Sequence, residues 1–83
     1  MVKLSFLPEP SASQVEAYRK AWAFAWKREP VRSELASNIR HAIVAAAMQP
    51  YGVPVYTVGR QRWLRVRADW REVLNRLAFE VQP

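Results

Sequence analysis

The stretch VPVYTVGRQRWLRVR (53–67) decides how this chain is read. Two runs rich in β-branched and aromatic residues, 53–58 and 61–67, flank Gly59-Arg60, and glycine at the first central position suits a two-residue type II′ turn. That turn pairs Val58 with Gln61, Tyr56 with Trp63, Val55 with Leu64 and Val53 with Val66. Val53, Val55, Leu64 and Val66 then share an apolar face, while Tyr56, Trp63, Arg65 and Arg67 share an aromatic and cationic one. A β-hairpin with one face for a core and one for a partner is the expectation.

Working outward, the segment before the hairpin reads as a helix over 31–48. Pro30 suits its first turn, where the missing N–H costs nothing. Val31, Leu35, Ile39, Ala42, Ile43 and Ala46 form its stripe, and Ser33, Ser37, Asn38, Arg40 and His41 its polar side. A first helix is expected over 13–28, opened by the capping-box spacing Ser13 to Glu16, with Val15, Tyr18, Trp22 and Ala25 as its stripe. Val2, Leu4 and Phe6 alternate with polar residues, which predicts a strand over 2–7, closed by Pro8 and Pro10. After the hairpin, Asp69 and Glu72 repeat the capping spacing ahead of a helix over 70–79. The expected architecture is a single α+β domain over 1–83, in the order β-α-α-β-β-α, with a three-stranded antiparallel sheet and three helices.

Charge gives the first functional clue. The 83 residues hold 13 Lys and Arg against 7 Asp and Glu, a net +6, and ten of the bases are arginine. Between Pro30 and Arg67 stand Arg32, Arg40, Arg60, Arg62, Arg65 and Arg67 against Glu34 alone, so this segment carries +5 of the total. A basic centre within a near-neutral frame is the footprint expected for a polyanion, and the arginine fork suits phosphates and guanine edges. The competing explanation is a genome-wide preference for Arg and Ala.

Two helices joined by a short proline-containing connection, then a hairpin with an arginine-rich tip, resemble a winged helix-turn-helix in outline. The resemblance implies duplex DNA as partner and a role in transcription regulation. Arg32, Ser33, Ser37, Asn38, Arg40 and His41 would face bases or phosphates from the second helix, with Arg60 and Arg62 on the wing and Arg65 and Arg67 also holding phosphate. Beside Tyr56 and the arginines, Trp63 is the best stacking platform for single strands.

A second class is a protein-interaction or inhibitor module of the kind phages and mobile elements encode. Phe24 and Trp26 fall off the first helix's stripe and would form an exposed patch against a larger protein. A homodimer closed through Ala42, Ala45 and Ala46 fits either class.

Other chemistry is poorly supplied. The absence of cysteine removes disulfides, thiolate metal sites and thiol nucleophiles. His41 is the single histidine and reads as a solvated side chain, and two glycines make no phosphate loop. No nucleophile–base constellation is present, so neither enzyme activity nor a cofactor or metal is expected. No apolar run approaches the roughly 18 residues of a membrane span, which favours a cytoplasmic protein without membrane contact.

Overall fold

The computed structural model describes residues 7–80. Within them the chain forms helix α1 (Ala12–Arg28), helix α2 (Glu34–Met48), a 3₁₀ turn (Gln49–Tyr51), strands β1 (Val55–Val58) and β2 (Trp63–Val66), helix α3 (Ala68–Asn75) and a closing π-helical segment (Arg76–Glu80). The sheet of the described residues has two antiparallel strands rather than three, and the order is α-α-β-β-α. This corrects the expected order and the winged-helix outline built on it. Residues 2–6 of the expected first strand lie outside the described residues. Leu7 sits in a bend ahead of Pro8 and Pro10, neither of which has an N–H to donate to a ladder.

α1 begins at Ala12, one residue before its expected start, and its cap lies two residues before the expected one. Ser11, not Ser13, is the N-cap, and its hydroxyl accepts from the Gln14 N–H while the Gln14 side chain accepts from the Ser11 N–H. Gln14 also donates to the Tyr51 carbonyl, so the start of α1 lies beside the end of α2 and the two helices run antiparallel. Their seam is built from small residues. Ala21 and Ala25 of α1 and Ala45 of α2 are buried, with Tyr18, Val44 and Met48 among them. Small side chains let the helix axes approach closely.

α2 starts at Glu34, capped by the Ser33 hydroxyl accepting from Ala36 N–H, so Pro30–Arg32 is connection rather than first turn. The helix is also rotated from the expected stripe. Ala36, Arg40, Val44 and Met48 face inward on one i, i+4 ridge, whereas Val31 and Leu35 are about 60% exposed. Ala45 lies within the molecule's own core, so it is not free for the expected dimer seam.

β2 packs along α2, and Val53 and Val66 enter the core with Val55 and Leu64 against it. The hairpin turn has four residues, not two. Val55 pairs with Val66, Tyr56 with Arg65, Thr57 with Leu64 and Val58 with Trp63. This register differs from the expected one by two residues, which preserves the faces but separates the expected Tyr56–Trp63 pair. Two features select it. Val53 N–H donates to the Met48 carbonyl at the end of α2, removing Val53 from the ladder, and Arg67 N–H then donates to Pro54 O at 2.9 Å.

α3 follows without a side-chain cap. Asp69 is in its first turn rather than at the cap, accepting from Trp70 N–H at 2.8 Å near the positive end of the helix. The Tyr18 hydroxyl donates to Asn75 Oδ1, and Phe79 tilts against the Tyr18 ring at 6.0 Å, which joins the C-terminal segment to α1. No helix of the described residues is long and apolar enough to cross a membrane.

Candidate nucleic-acid interface

The hairpin turn and the first turns of α2 face each other. Glu34, Leu35 and Asn38 on the helix and Gln61 and Trp63 on the hairpin line an open groove of about 560 Å³. Three local causes make it. The face of α2 that carries Ala36, Arg40, Val44 and Met48 turns inward and leaves Leu35 outward, the four-residue turn projects Gln61 beyond the strands, and Trp63 is the first residue of β2 after that turn.

The turn itself is held by backbone geometry. Arg62 N–H donates to Gly59 O at 3.1 Å, and both Gly59 (φ +74°) and Arg62 (φ +57°) adopt left-handed conformations. That geometry is ordinary for glycine and costs an L residue such as arginine about 1 kcal/mol or more. Arg60, Gln61 and Arg62 are all exposed, and neither arginine has an ion-pair or side-chain hydrogen-bond partner among the described residues.

The other expected site residues divide by what already engages them. Arg40 is 5% exposed. Its guanidinium donates to the carbonyls of Glu29 and Val31, the latter at 2.7 Å, and lies 3.6 Å over the Trp26 ring. It therefore clamps the connection between α1 and α2 and does not present donors to solvent. A buried cation needs such partners, because an unsatisfied one carries a desolvation cost of several kcal/mol.

Arg65 donates to Asn38 Oδ1 at 2.7 Å, fastening β2 to α2, while its Nε is buried without a hydrogen bond. Arg67 grips Asp69 through two contacts of 2.9 and 3.0 Å on the surface, and that pairing holds the Asp69 carboxyl below its ordinary pKa. Ser33 serves as the cap, and Ser37 is half-buried with its N–H bonded to the Ser33 carbonyl. Arg32 stays exposed, 5.4 Å from the Trp26 ring centroid.

His41 is not solvated as its position on a polar helix side suggests. It is half-buried with its ring edge-on to Trp22 at 4.9 Å. Burial, joined by the positive charges of Arg65, Arg71 and Arg40, pulls its pKa down to about 4. It is neutral at physiological pH and adds no cation to the surface.

The aromatics separate into two regions. Tyr56 is exposed on β1, paired with Arg65, and does not line the groove of Trp63. Phe24 and Trp26 are exposed on α1, Phe24 with the Arg28 guanidinium 5.8 Å from its ring. Behind Trp26 a second groove of about 450 Å³ runs between α1 and the C-terminal segment, lined by Trp22, Trp26, Phe79, Ala23, Arg19 and Asn75. Sequence reasoning missed Leu35, Gln61 and Glu34 as site residues. Leu35 fits a buried stripe that the rotated helix turns away from the core. Gln61 looks like a strand residue until the longer turn lifts it out.

Compared with known protein families, curated proteins and solved structures, the chain matches none.

Proposed function

We propose that this protein binds nucleic acid, holding phosphates with Arg60 and Arg62 on the hairpin turn and Arg32 ahead of α2. The observation that carries the reading is that Arg60 and Arg62 stand exposed and free of acidic partners among the described residues, flanking Gln61, which lines a groove with Glu34, Leu35, Asn38 and Trp63. Free arginines form charge-assisted, often bidentate contacts to phosphate, and a net +6 draws a polyanion from a distance. Of the six residues expected to face bases or phosphates from the second helix, Arg40 is withdrawn into the clamp, Asn38 gives its oxygen to Arg65, Ser33 caps the helix and His41 is half-buried against Trp22, which leaves Arg32 and Ser37. The proposal is therefore made for nucleic acid as a class, with phosphate as the common contact.

Arg60→Ala combined with Arg62→Ala tests it. The double variant should weaken binding to all sequences alike and flatten the plot of log K against log salt by roughly 1.5 to 2 units. Binding and slope equal to wild type would refute the turn's role.

A second reading rests on a separate observation, the groove of Trp22, Trp26 and Phe79. Exposed aromatic clefts suit an apolar side chain presented by a partner protein; Arg19 at this groove is already paired with Glu16 and bonded to the Ala78 carbonyl, so the apolar lining and not charge would carry the contact. Phe79→Ala should abolish such an interaction and leave nucleic-acid binding untouched.

A further inference from the structure

The groove between the hairpin turn and α2 holds more than a phosphate grip requires. Phosphate contacts need exposed cations. They do not need a half-buried indole, a leucine 60% exposed opposite it, and two amide side chains along the same cleft. We infer that this groove receives an unpaired nucleobase, so that the ligand is single-stranded nucleic acid, or a strand with a base out of its stack. This inference rests on the nucleic-acid reading above and extends it from the backbone to the base.

Each lining residue has a part. Trp63 supplies a flat π surface and Leu35 an apolar wall, and stacking on an aromatic ring tolerates any base. Asn38 accepts from Arg65 with Oδ1, which fixes the amide and leaves its NH₂ donors unengaged within the described structure. Gln61 on the turn offers both a donor and an acceptor. The Glu34 carboxylate in the same groove accepts only, so it suits a base edge with an N–H donor, the N3–H of thymine included, and repels a phosphate. That repulsion keeps the backbone on the outer rim, where Arg60 and Arg62 lie to either side of Gln61 in the turn. A paired base offers neither its ring face nor its Watson–Crick edge to such a cleft, so a duplex gains nothing from it.

The test compares three labelled probes of equal length by fluorescence anisotropy: a ten-residue oligothymidine, the same backbone with abasic sites, and a duplex. The oligothymidine should bind roughly five- to a hundred-fold more tightly than the abasic strand. Trp63→Ala should erase that ratio while leaving abasic affinity and its salt slope in place, and Trp63→Phe should retain most of it. Because Trp63 is half-buried, Leu35→Glu at an exposed position provides the same test where Trp63→Ala does not fold. Equal affinity for the oligothymidine and the abasic strand overturns the base groove and leaves the phosphate reading standing. A ratio that survives both Trp63→Ala and Leu35→Glu also overturns it, as does tighter binding of the duplex. No binding to any probe at low salt overturns the nucleic-acid reading itself.

Discussion

Replacing Arg40 with methionine removes a guanidinium that touches three groups at once. The Glu29 and Val31 carbonyls lose their donor, and the Trp26 ring loses the cation 3.6 Å above it. Hydrogen bonds from a charged donor contribute about 1.5–3 kcal/mol each, and a partly desolvated cation–π contact about 1–2 kcal/mol. Against this, methionine refills much of the buried stem's volume and relieves several kcal/mol of charge desolvation. The net expectation is a loss of about 2–3 kcal/mol, set mainly by two carbonyls left without partners. A chain of this size has a stability of order 4–12 kcal/mol, so the loss is large. It corresponds to a fall in Tm of roughly 10–20 °C. Urea unfolding followed by far-UV circular dichroism measures it directly. Arg40→Lys should lose most of the same amount, because a point charge cannot fork across both carbonyls and stack on the indole. Arg32→Ala, exposed nearby, should stay within about 0.5 kcal/mol of wild type. If Arg40→Met unfolds like wild type and instead loses nucleic-acid affinity, the clamp is wrong and Arg40 is a surface reader.

Four further outcomes follow from the same geometry. Arg62→Gly relieves a left-handed backbone position and should raise stability by up to about 1 kcal/mol after the entropy that glycine adds to the unfolded chain. No atom lies within 4 Å of a Cβ placed on Gly59, so Gly59→Ala isolates the backbone term and should cost about 1 kcal/mol; urea midpoints read both. Because the folded pKa of His41 lies near 4, below its unfolded value of 6.5, the unfolded chain takes up the proton first. Stability from this group is complete above pH 6.5 and declines as pH falls from 6.5 to 4, so His41→Gln should flatten the urea midpoint over that window and leave it unchanged in slope above pH 7. Ser11→Ala removes the cap of α1 and should cost about 1 kcal/mol, whereas Ser13→Ala should be close to neutral in the same assay.

Much of the secondary structure is legible in the chain, because helix periodicity and the hairpin's alternation are local signals. Tyr18, Ala25, Val53 and Val66 are buried where their periods put them. What fails is set by tertiary contact. The hairpin's faces survive a two-residue slip, so hydrophobic alternation alone cannot choose between turns of two and four residues. The choice falls to Val53 N–H bonding the end of α2. Arg40 reads as polar surface because nothing local reports that two carbonyls of the preceding connection need a donor. Once Arg40 turns inward, the helix rotates with it, and Leu35 turns out. The same rotation sets His41 against Trp22. Two local signals, Ser13 to Glu16 and Asp69 to Glu72, have capping spacing but do not mark the N-cap, since Ser11 and Arg67 occupy the cap positions and Asp69 instead accepts from the Trp70 N–H within the first turn. Among the candidate site residues, Arg60, Arg62 and Trp63 are legible from charge and alternation. Gln61 and Leu35 are not, because their exposure depends on the turn length and the helix rotation.

The most direct measurement of the central claim is the affinity of the wild-type protein for a labelled oligonucleotide across a series of salt concentrations. Three phosphate contacts, from Arg32, Arg60 and Arg62, predict binding at low salt with a log–log slope of about −2 on a single strand and nearer −3 on a duplex. Absence of binding at low salt, or binding indifferent to salt, would contradict the account and direct attention to the aromatic groove of Trp22, Trp26 and Phe79.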